Sequence, residues 1–372
     1  MSPAPGRTHL TLLALEARIV RLPLAEALRT GRGAYRERSI VWLSAQIDCD
    51  GTRVTGHGEC APLPGWDDDT PDAQCRALAR IPLPLTLDHP NQIDAAGPDL
   101  AGRPTLRAGL ELALLDALAR HQSLSLAGLL AALRAAEGSG PRVAADSIAL
   151  QRTLGSLPTA ATVAAVEQAR EDGYRAVKLK VGADPLAADQ DRLTAVRERI
   201  GALELRADAN GAWTVAEALQ ALRKLPVALI EQPVAPGHLA ELLAQRPGTG
   251  TRIAADESCT GAHAAERLID DGRIDALVIK PAALGGLLPT LALAERATAA
   301  GVQIILSNLI ESAIGRAGVA ALAAVLPEHP GPHGLATGGW LAHDLAERDR
   351  IEHGRLWRRD GVGIGFDPAL PA

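Results

Sequence analysis

The stretch TVAAVEQAREDGYRAVKLKVG, residues 162–182, contains the repeating unit from which the fold is predicted. An apolar helical face ends at Gly173, a typical stop after a helix, and a short strand-like run follows at once. Within that run Lys178 and Lys180 are two positions apart, so their ammonium groups should point to the same side of a strand. Two like charges on one face of an apolar strand require a chemical explanation.

The same unit recurs along the carboxyl-terminal two thirds of the chain. Apolar runs that end in polar residues occupy 143–150, 176–181, 203–210, 227–233, 252–258, 275–281, 302–308 and 333–338. Their spacing is about that of one strand and helix, and eight such units close into a parallel barrel. We therefore predict an α/β protein with a (β/α)7β-type TIM barrel over residues 141–339. The alternative is an open doubly wound sheet, but the sequence contains no Gly-x-Gly-x-x-Gly turn at the start of a helix to support it.

Residues 1–130 have a different pattern. The runs at 15–24, 38–48 and 52–62 predict meandering strands, and residues 105–122 predict a helix that is apolar almost all round. This pattern predicts a separate α+β domain.

Composition narrows the classes of function. The 372 residues carry a formal charge of -6, which gives no reason to expect a nucleic acid or an anionic membrane as partner. The apolar run near the amino end is interrupted by Glu16 and Arg18, too short for a signal peptide. Four cysteines without a Cys-x-x-Cys pair suit a reducing compartment. We expect a cytoplasmic protein that acts on a small molecule, with a homo-oligomer left open.

Polar residues fall at the ends of the predicted strands, where a parallel barrel gathers its functional groups. They are Lys178, Lys180, Asp208, Asn210, Glu231, Asp256, Glu257, Lys280, Ser307, Asn308 and Glu311. Asp208, Glu231 and Asp256 come from three adjacent strands, and three converging carboxylates repel one another unless a cation lies among them. An all-oxygen ligand set suits Mg²⁺ better than zinc, so we predict one octahedral Mg²⁺.

Lys180 and Lys280 lie on strands four places apart in an eight-membered ring, and therefore face each other across the predicted metal. A carboxylate bound there would hold its α-carbon between two amines, as α-proton removal requires. Lys178 should lower the pKa of Lys180, because an adjacent ammonium group disfavours a second charge. Taken singly, each residue has a plainer explanation, such as a helix cap or a solvated strand edge. Their combination in this order favours a catalytic site over a barrel kept only for binding.

The order K-x-K, D-x-N, E-Q-P, D-E-S and K-P-x-x-x-G-G resembles the enolase superfamily, in particular its muconate-lactonizing subgroup. The resemblance implies that the amino-terminal region is a capping domain, completed by residues 340–372, whose segments 28–39 and 56–66 cover the substrate. It also implies the roles of individual residues. The metal ligands would be Asp208, Glu231 and Asp256, the base Lys180, the facing lysine Lys280, and the supporting polar residues Asn210 and Glu257. Mn²⁺ is expected to substitute for Mg²⁺.

Within the subgroup, SNLIESAIGRAGVAALAA (307–324) and HGLATGGWLAHDL (333–345) are most similar to the o-succinylbenzoate synthases of menaquinone biosynthesis. That resemblance implies dehydration of a cyclohexadiene carboxylate, with Ser307 and Asn308 near its succinyl tail. Glu311, just beyond them, is predicted to be a further substrate-binding or supporting residue. N-succinylamino acid racemization and dipeptide epimerization stay open as alternatives. Dipeptide epimerases typically place an Asp-x-Asp pair at the eighth strand, where this chain reads HGLATGG, so the dipeptide alternative is the weaker one.

Overall fold

A parallel β/α barrel forms the centre of the molecule. The computed structural model describes residues 9–30, 33–64, 66–100, 102–136, 143–246, 248, 250–326 and 331–371. Seven parallel strands follow one another in chain order: β6 Gln151–Leu154, β7 Ala176–Lys180, β8 Glu204–Asp208, β9 Leu229–Glu231, β10 Arg252–Ala255, β11 Ala276–Ile279 and β12 Gln303–Leu306. The helices that follow these strands are α4 Thr159–Glu171, α5 Leu186–Arg197, α6 Val215–Lys224, α7 Leu239–Gln245, α8 Ala262–Asp271, α9 Pro281–Leu284, α10 Leu287–Ala299 and α11 Ala313–Ala323.

A single residue, His333, fills the eighth place and joins the two edges of the sheet. Its N–H donates to Ala149 O, and its carbonyl accepts from Gln151 N, both at 2.9 Å. On the other side, Gly334 N donates to Leu306 O at 2.8 Å, and Leu306 N donates to His333 Nδ1 at 2.9 Å. The predicted α/β class and the (β/α)7β barrel are thus confirmed.

The prediction of the first strand was wrong in its position. Only the end of residues 143–150 reaches the barrel, where Leu150 forms a parallel bridge with His333. Most of the run lies elsewhere: β5 Ser147–Ala149 pairs antiparallel with β14 Arg355–Trp357, which pairs in turn with β13 Ile351–Glu352. Ile148, in the middle of β5, is buried, so an apolar run there does not by itself indicate a barrel strand. The first strand of the barrel is the next element, β6. The prediction failed because the length of an apolar run does not reveal which strand it pairs with.

The amino-terminal region forms the predicted α+β arrangement. Its sheet has the order β3-β2-β1-β4, with β1 Leu10–Thr30, β2 Gly33–Cys49, β3 Thr52–Cys60 and β4 Leu85–Leu87. Its helices are α1 Pro71–Leu78, α2 Pro104–His121 and α3 Leu126–Ala136. α2 is buried almost all round because it packs against β3 on one side and against the barrel helices α9, α10 and α11 on the other. No helix in the described parts of the chain, α2 included, is long and apolar enough to span a membrane.

The segment 28–39, expected as a covering loop, is the end of a long β-hairpin. Pairing of β1 with β2 continues through Leu28 with Tyr35 to Thr30 with Gly33, after an irregularity between Pro23 and Leu28. Positions 31 and 32, between Thr30 and Gly33, lie outside the described residues.

The carboxyl-terminal segment returns to the amino-terminal elements. Leu341 forms an antiparallel bridge with Leu24. Further along, Gly363 N donates to Leu124 O at 2.8 Å, and Ile364 N donates to Asp116 Oδ1 at 2.7 Å. The division of the chain into domains at residues 130, 141 and 340 stays a prediction.

Gly58→Ala is expected to destabilise the protein, because β3 lies too close to α2 for a side chain there. A Cβ at Gly58 would lie 2.1 Å from Gly109 O and 2.8 Å from Ala113 N, both rigid helix backbone. Overpacking of this kind costs about 1–3 kcal/mol or more, which urea unfolding would measure. Gly155→Ala is the matched control, since nothing lies within 4 Å of its Cβ position. Equal stability of the two variants would contradict the close packing.

Candidate active site

The sheet register brings the predicted charged residues to one end of the barrel. Lys180 on β7 is paired with Asp208 on β8, and Asp208 is paired with Glu231 on β9. Asp256 directly follows β10, two positions after Ala254, which is paired with Glu231. The three acids are at most 5% exposed. Three buried carboxylates from adjacent strands thus share the carboxyl end of the sheet, as parallel strands require.

Lys178 and Lys180 point to the same side of β7. Their Nζ atoms contact one oxygen, Asp208 Oδ2, at 3.0 and 2.8 Å, and Lys178 Nζ also contacts Glu231 Oε1 at 2.6 Å. The Lys178 side chain is 10% exposed, whereas that of Lys180 is 39% exposed. Lys178 is therefore a buried bridge between two carboxylates, and Lys180 is the amine that solvent or a small molecule can reach.

Asn210 links Lys180 to the next acid. Its Oδ1 accepts from Lys180 Nζ at 2.6 Å, and its Nδ2 donates to Glu257 Oε1 at 3.0 Å. The residue has a φ of 46°, in the left-handed region, which Asn tolerates better than most residues. Its backbone N–H donates to Asp208 Oδ1 at 3.1 Å. The predicted supporting residues Asn210 and Glu257 thus form one hydrogen-bonded chain with Lys180.

Lys280 lies four places from Lys180 in the sheet, directly after β11. Its Nζ forms an ion pair with Asp256 Oδ1 and lies 3.7 Å from the centroid of the Trp66 ring. Trp66 was not among the predicted site residues. It belongs to the segment 56–66, whose covering role stays a prediction and of which Gly65 lies outside the described residues. No feature of its local sequence indicates a partner so far along the chain.

Gln232 is a second residue that the sequence did not reveal. It is fully buried directly after Glu231, and its Oε1 accepts from Asp256 N and Ser258 N, both at 3.0 Å. Its Nε2 donates to Val234 O and to Ser258 Oγ, both at 2.8 Å. Gln232 therefore fixes the backbone that carries Asp256 relative to β9. The motif E-Q-P contains it, but only the fold brings Gln232 and the segment after β10 together.

Burial and neighbouring charges separate the pKa values in this cluster. Burial raises the pKa of Glu231, and the charges of Asp208 and Asp256 raise it further against the opposing charge of Lys178. Burial also acts to raise the pKa of Asp208, but the charges of Lys178 and Lys180 outweigh it and hold that pKa well below its usual range. For Lys178, burial acts to lower the pKa, but the nearby carboxylates outweigh it and raise that pKa. Lys178 is thus held as an ammonium group.

The carboxylates are arranged around amines. Within the described residues, no three Asp, Glu, His or Cys side chains are placed to hold a metal ion. Lys178 lies between Asp208 and Glu231, and Lys280 is paired with Asp256. The donor set nevertheless fits a hard cation: its atoms are carboxylate oxygens, they are buried, and the charges of Asp208 and Asp256 still raise the pKa of Glu231.

The predicted residues after β12 have other partners. Asn308 Oδ1 accepts from Thr337 Oγ1 at 2.9 Å, while Asn308 Nδ2 has no partner among the described residues. Glu311 is 2% exposed, and neither of its carboxyl oxygens has a hydrogen-bond partner among those residues. Burial, together with the charge of Glu59, raises the pKa of Glu311 to about 7. A role for Ser307, Asn308 and Glu311 in substrate binding stays a prediction.

Arg38 and Glu59 tie the amino-terminal region to the loop after β12. The buried Arg38 guanidinium donates to Leu309 O and Ile310 O of that loop, and to Ala61 O and Pro62 O of the segment 56–66, at 2.9–3.2 Å. Glu59 accepts from Ser312 N at 2.8 Å and from Gly315 N at 3.0 Å, at the start of α11. A carboxylate is favourable at a helix N-terminus, where backbone N–H groups are unpaired.

Glu111 makes the equivalent contact after β11. Its Oε2 accepts from Leu287 N and from Leu288 N, the latter at 3.2 Å, at the start of α10. A Cβ at Gly286 would lie 2.2 Å from that oxygen, and Gly286 has a φ of 139°. The second glycine of K-P-x-x-x-G-G therefore leaves room for a carboxylate from α2.

Comparison with known proteins gives consistent matches. A family model described as enolase C-terminal domain-like matches residues 161–371. An N-succinylamino acid racemase of Thermus thermophilus is 31% identical over 96% of this chain and 95% of its own. An o-succinylbenzoate synthase of Mycobacterium ulcerans is 37% identical over 59% of this chain and 67% of its own. The muconate lactonizing enzyme of Pseudomonas putida superposes with a TM-score of 0.80 at 25% identity, covering 96% of this chain and 97% of that one.

Lys178→Met is expected to lower the free energy of unfolding more than Lys180→Met does. Removing Lys178 leaves the buried Asp208 and Glu231 charges without their bridge, and such losses cost about 3–5 kcal/mol. Lys180 is 39% exposed, so in Lys180→Met water can solvate the Asp208 oxygen that loses its ammonium partner, and the loss of stability is smaller. Urea unfolding at pH 7 with a chelator present would measure both. Equal losses would show that Lys178 is not the principal counter-charge.

Proposed function

The chain belongs to the enolase superfamily, in its muconate-lactonizing subgroup, and on that premise we propose that it is an o-succinylbenzoate synthase of menaquinone biosynthesis. The substrate is a cyclohexadiene carboxylate with a succinyl side chain and a ring hydroxyl group. The hydrogen on the carbon that bears the carboxylate and the hydroxyl group leave from the same face. The products are an aromatic acid, o-succinylbenzoate, and water.

The placement of two unlike amines carries the proposal. Lys180 is 39% exposed at the end of β7. Lys280, four places away in the sheet, is held between the Asp256 carboxylate and the Trp66 indole, two groups that bind an ammonium cation. One reachable amine and one fixed cation suit a reaction with a single base.

In the proposed mechanism, Lys180 Nζ takes the proton from the carbon next to the carboxylate. The electron pair of that C–H bond passes into the carboxylate as an enediolate, and the positive charge of Lys280 stabilises the negative charge that develops. Lys180 then returns the proton to the departing hydroxyl on the same face, so that water leaves and the ring becomes aromatic. Asn210 holds Lys180 in position through its 2.6 Å hydrogen bond.

Members of the enolase superfamily typically use Mg²⁺. We propose Asp208, Glu231 and Asp256 as its ligands here, with Mn²⁺ able to replace it. When bound, the ion would supply positive charge to the substrate carboxylate and so acidify the neighbouring C–H bond.

Racemization of N-succinylamino acids is the second candidate. The 31% identity with the Thermus thermophilus racemase, over 96% of this chain, favours it. The amide nitrogen of such a substrate is neutral, so it needs no carboxylate from residues 333–338. A dipeptide carries an ammonium group that would lack this partner, and dipeptide epimerization is therefore the weakest of the three.

Two assays on the wild-type protein with Mg²⁺ separate these candidates. Loss of the cyclohexadiene absorbance would support the synthase. The second assay measures, by NMR in D₂O, the exchange of the α-proton of an N-succinylamino acid. Exchange in this assay, with no loss of absorbance in the first, would overturn the synthase proposal in favour of the racemase.

Lys180→Ala is expected to lower kcat for dehydration by about 10²–10⁴-fold or more, because it removes the group that acts as both base and acid. The ring absorbance assay measures this change. Lys224→Ala, on the outer end of α6, is a matched lysine control and should keep full activity. Near-normal turnover by Lys180→Ala would exclude it as the base.

Asp208→Asn is expected to weaken Mg²⁺ binding by at least about tenfold, since one anionic ligand becomes neutral. Titration calorimetry measures the affinity without reference to turnover. Asp270→Asn, at an exposed ion pair with Arg296, is the control. Unchanged affinity in Asp208→Asn would remove Asp208 from the ligand set.

A further inference from the structure

The contact between Trp66 and Lys280 joins the covering segment to the barrel. Lys280 Nζ lies 3.7 Å from the centroid of the indole ring, within the range in which an aromatic face attracts a cation. The Lys280 side chain is only 9% exposed, so few water molecules compete for the ammonium group. Asp256 holds the same nitrogen as an ion pair.

Trp66 is presented by an anchored turn. Trp66 N and Asp67 N donate to Leu63 O at 2.9 and 3.0 Å. The Asp67 carboxylate accepts from Thr105 Oγ1, at the start of α2, and from Asp69 N at 2.8 Å. Thr105 is buried and accepts from Gln74 Nε2 at 2.7 Å. The residue after the indole is thus tied to two helices of the amino-terminal region, and the position of the ring follows from those ties.

We propose that Trp66 is a positioning residue for the reaction, whose aromatic face fixes the Lys280 ammonium group at the point where negative charge develops on the substrate. This inference rests on the proposed function, since it assigns Lys280 the part of a fixed cation. A lysine side chain has four rotatable bonds, and Asp256 alone restrains the ammonium group from one direction. The indole supplies the second restraint, and it does so from the segment that covers the substrate.

The position of Lys280 should matter more in the transition state than in substrate binding, because the negative charge it faces develops only as the C–H bond breaks. Loss of the aromatic face should therefore lower kcat by about 3- to 30-fold, with KM changed by less than about twofold. A merely structural role would instead lower the amount of folded enzyme and leave kcat per folded molecule unchanged, so kcat is calculated from the folded concentration of each variant.

The test compares Trp66→Phe, which keeps an aromatic face, with Trp66→Leu, which keeps apolar bulk without one. Trp66→Phe should restore most of the turnover that Trp66→Leu loses. Trp357→Leu is the control, because it removes a similar indole contact with Arg350, whose Cζ lies 4.9 Å from the ring centroid. Equal losses in the Phe and Leu variants, or a kcat for Trp66→Leu within twofold of wild type, would overturn the proposal.

A spectroscopic measurement separates this inference from the proposed function. Lys280→Met should change tryptophan fluorescence in the wild-type background and leave it unchanged in the Trp66→Phe background, whichever substrate the enzyme uses. If the wild type fails to dehydrate the ring, α-proton exchange on an N-succinylamino acid replaces dehydration as the kinetic readout for the same variants. A Lys280→Met emission change of equal size in both backgrounds would show that the two side chains do not interact.

Discussion

The cost of burying charge governs the catalytic end of this barrel. Asp208, Glu231 and Asp256 end three adjacent strands at no more than 5% exposure, and isolated carboxylates in such surroundings are strongly unfavourable. Lys178 and Lys280 offset much of this cost by direct contact. Burial, together with the negative charges of Asp208 and Asp256, still raises the pKa of Glu231. A divalent cation bound among these three carboxylates would lower the cost of keeping them charged.

The loops that carry the site are held from the amino-terminal region. Glu111 binds the backbone at the start of α10, which follows Lys280, and Glu59 binds the start of α11, which follows the loop after β12. Arg38 holds that same loop and the segment after β3 together through four carbonyl groups. Each contact joins a buried charge to backbone groups that would otherwise be unpaired. The geometry of the strand ends therefore depends on elements more than 170 residues away, as the separations of 177 and 253 residues show.

The parts of the fold that local pattern determines were predictable. The strand and helix period gave the barrel, and the polar ends of the strands gave the lysines and acids that the register brings together. Pairing partners were not predictable: β5 pairs with β14 outside the barrel, and His333 alone fills the eighth place. Trp66 was missed for the same reason, because its contact with Lys280 spans two distant segments. A local stretch of sequence shows which residues are apolar, but it does not show which distant backbone or side-chain groups they contact.

The choice between lysine and arginine along the chain is a sequence signal for the site that the motifs alone do not contain. Only four of the 38 Lys and Arg residues are lysines, and three of these four lie at the strand ends. Apart from Lys178, the buried cations among the described residues are arginines: Arg38, Arg134, Arg192, Arg206 and Arg316. A guanidinium group cannot lose its proton at ordinary pH and binds several carbonyl or carboxylate oxygens at once, whereas an amine can exchange a proton. Lys178 and Lys280 are paired with buried carboxylates and act as fixed cations, so proton exchange is assigned to Lys180 alone. The choice of lysine rather than arginine at position 180 is explained if an amine, rather than a permanent cation, is what the chemistry of the site requires there.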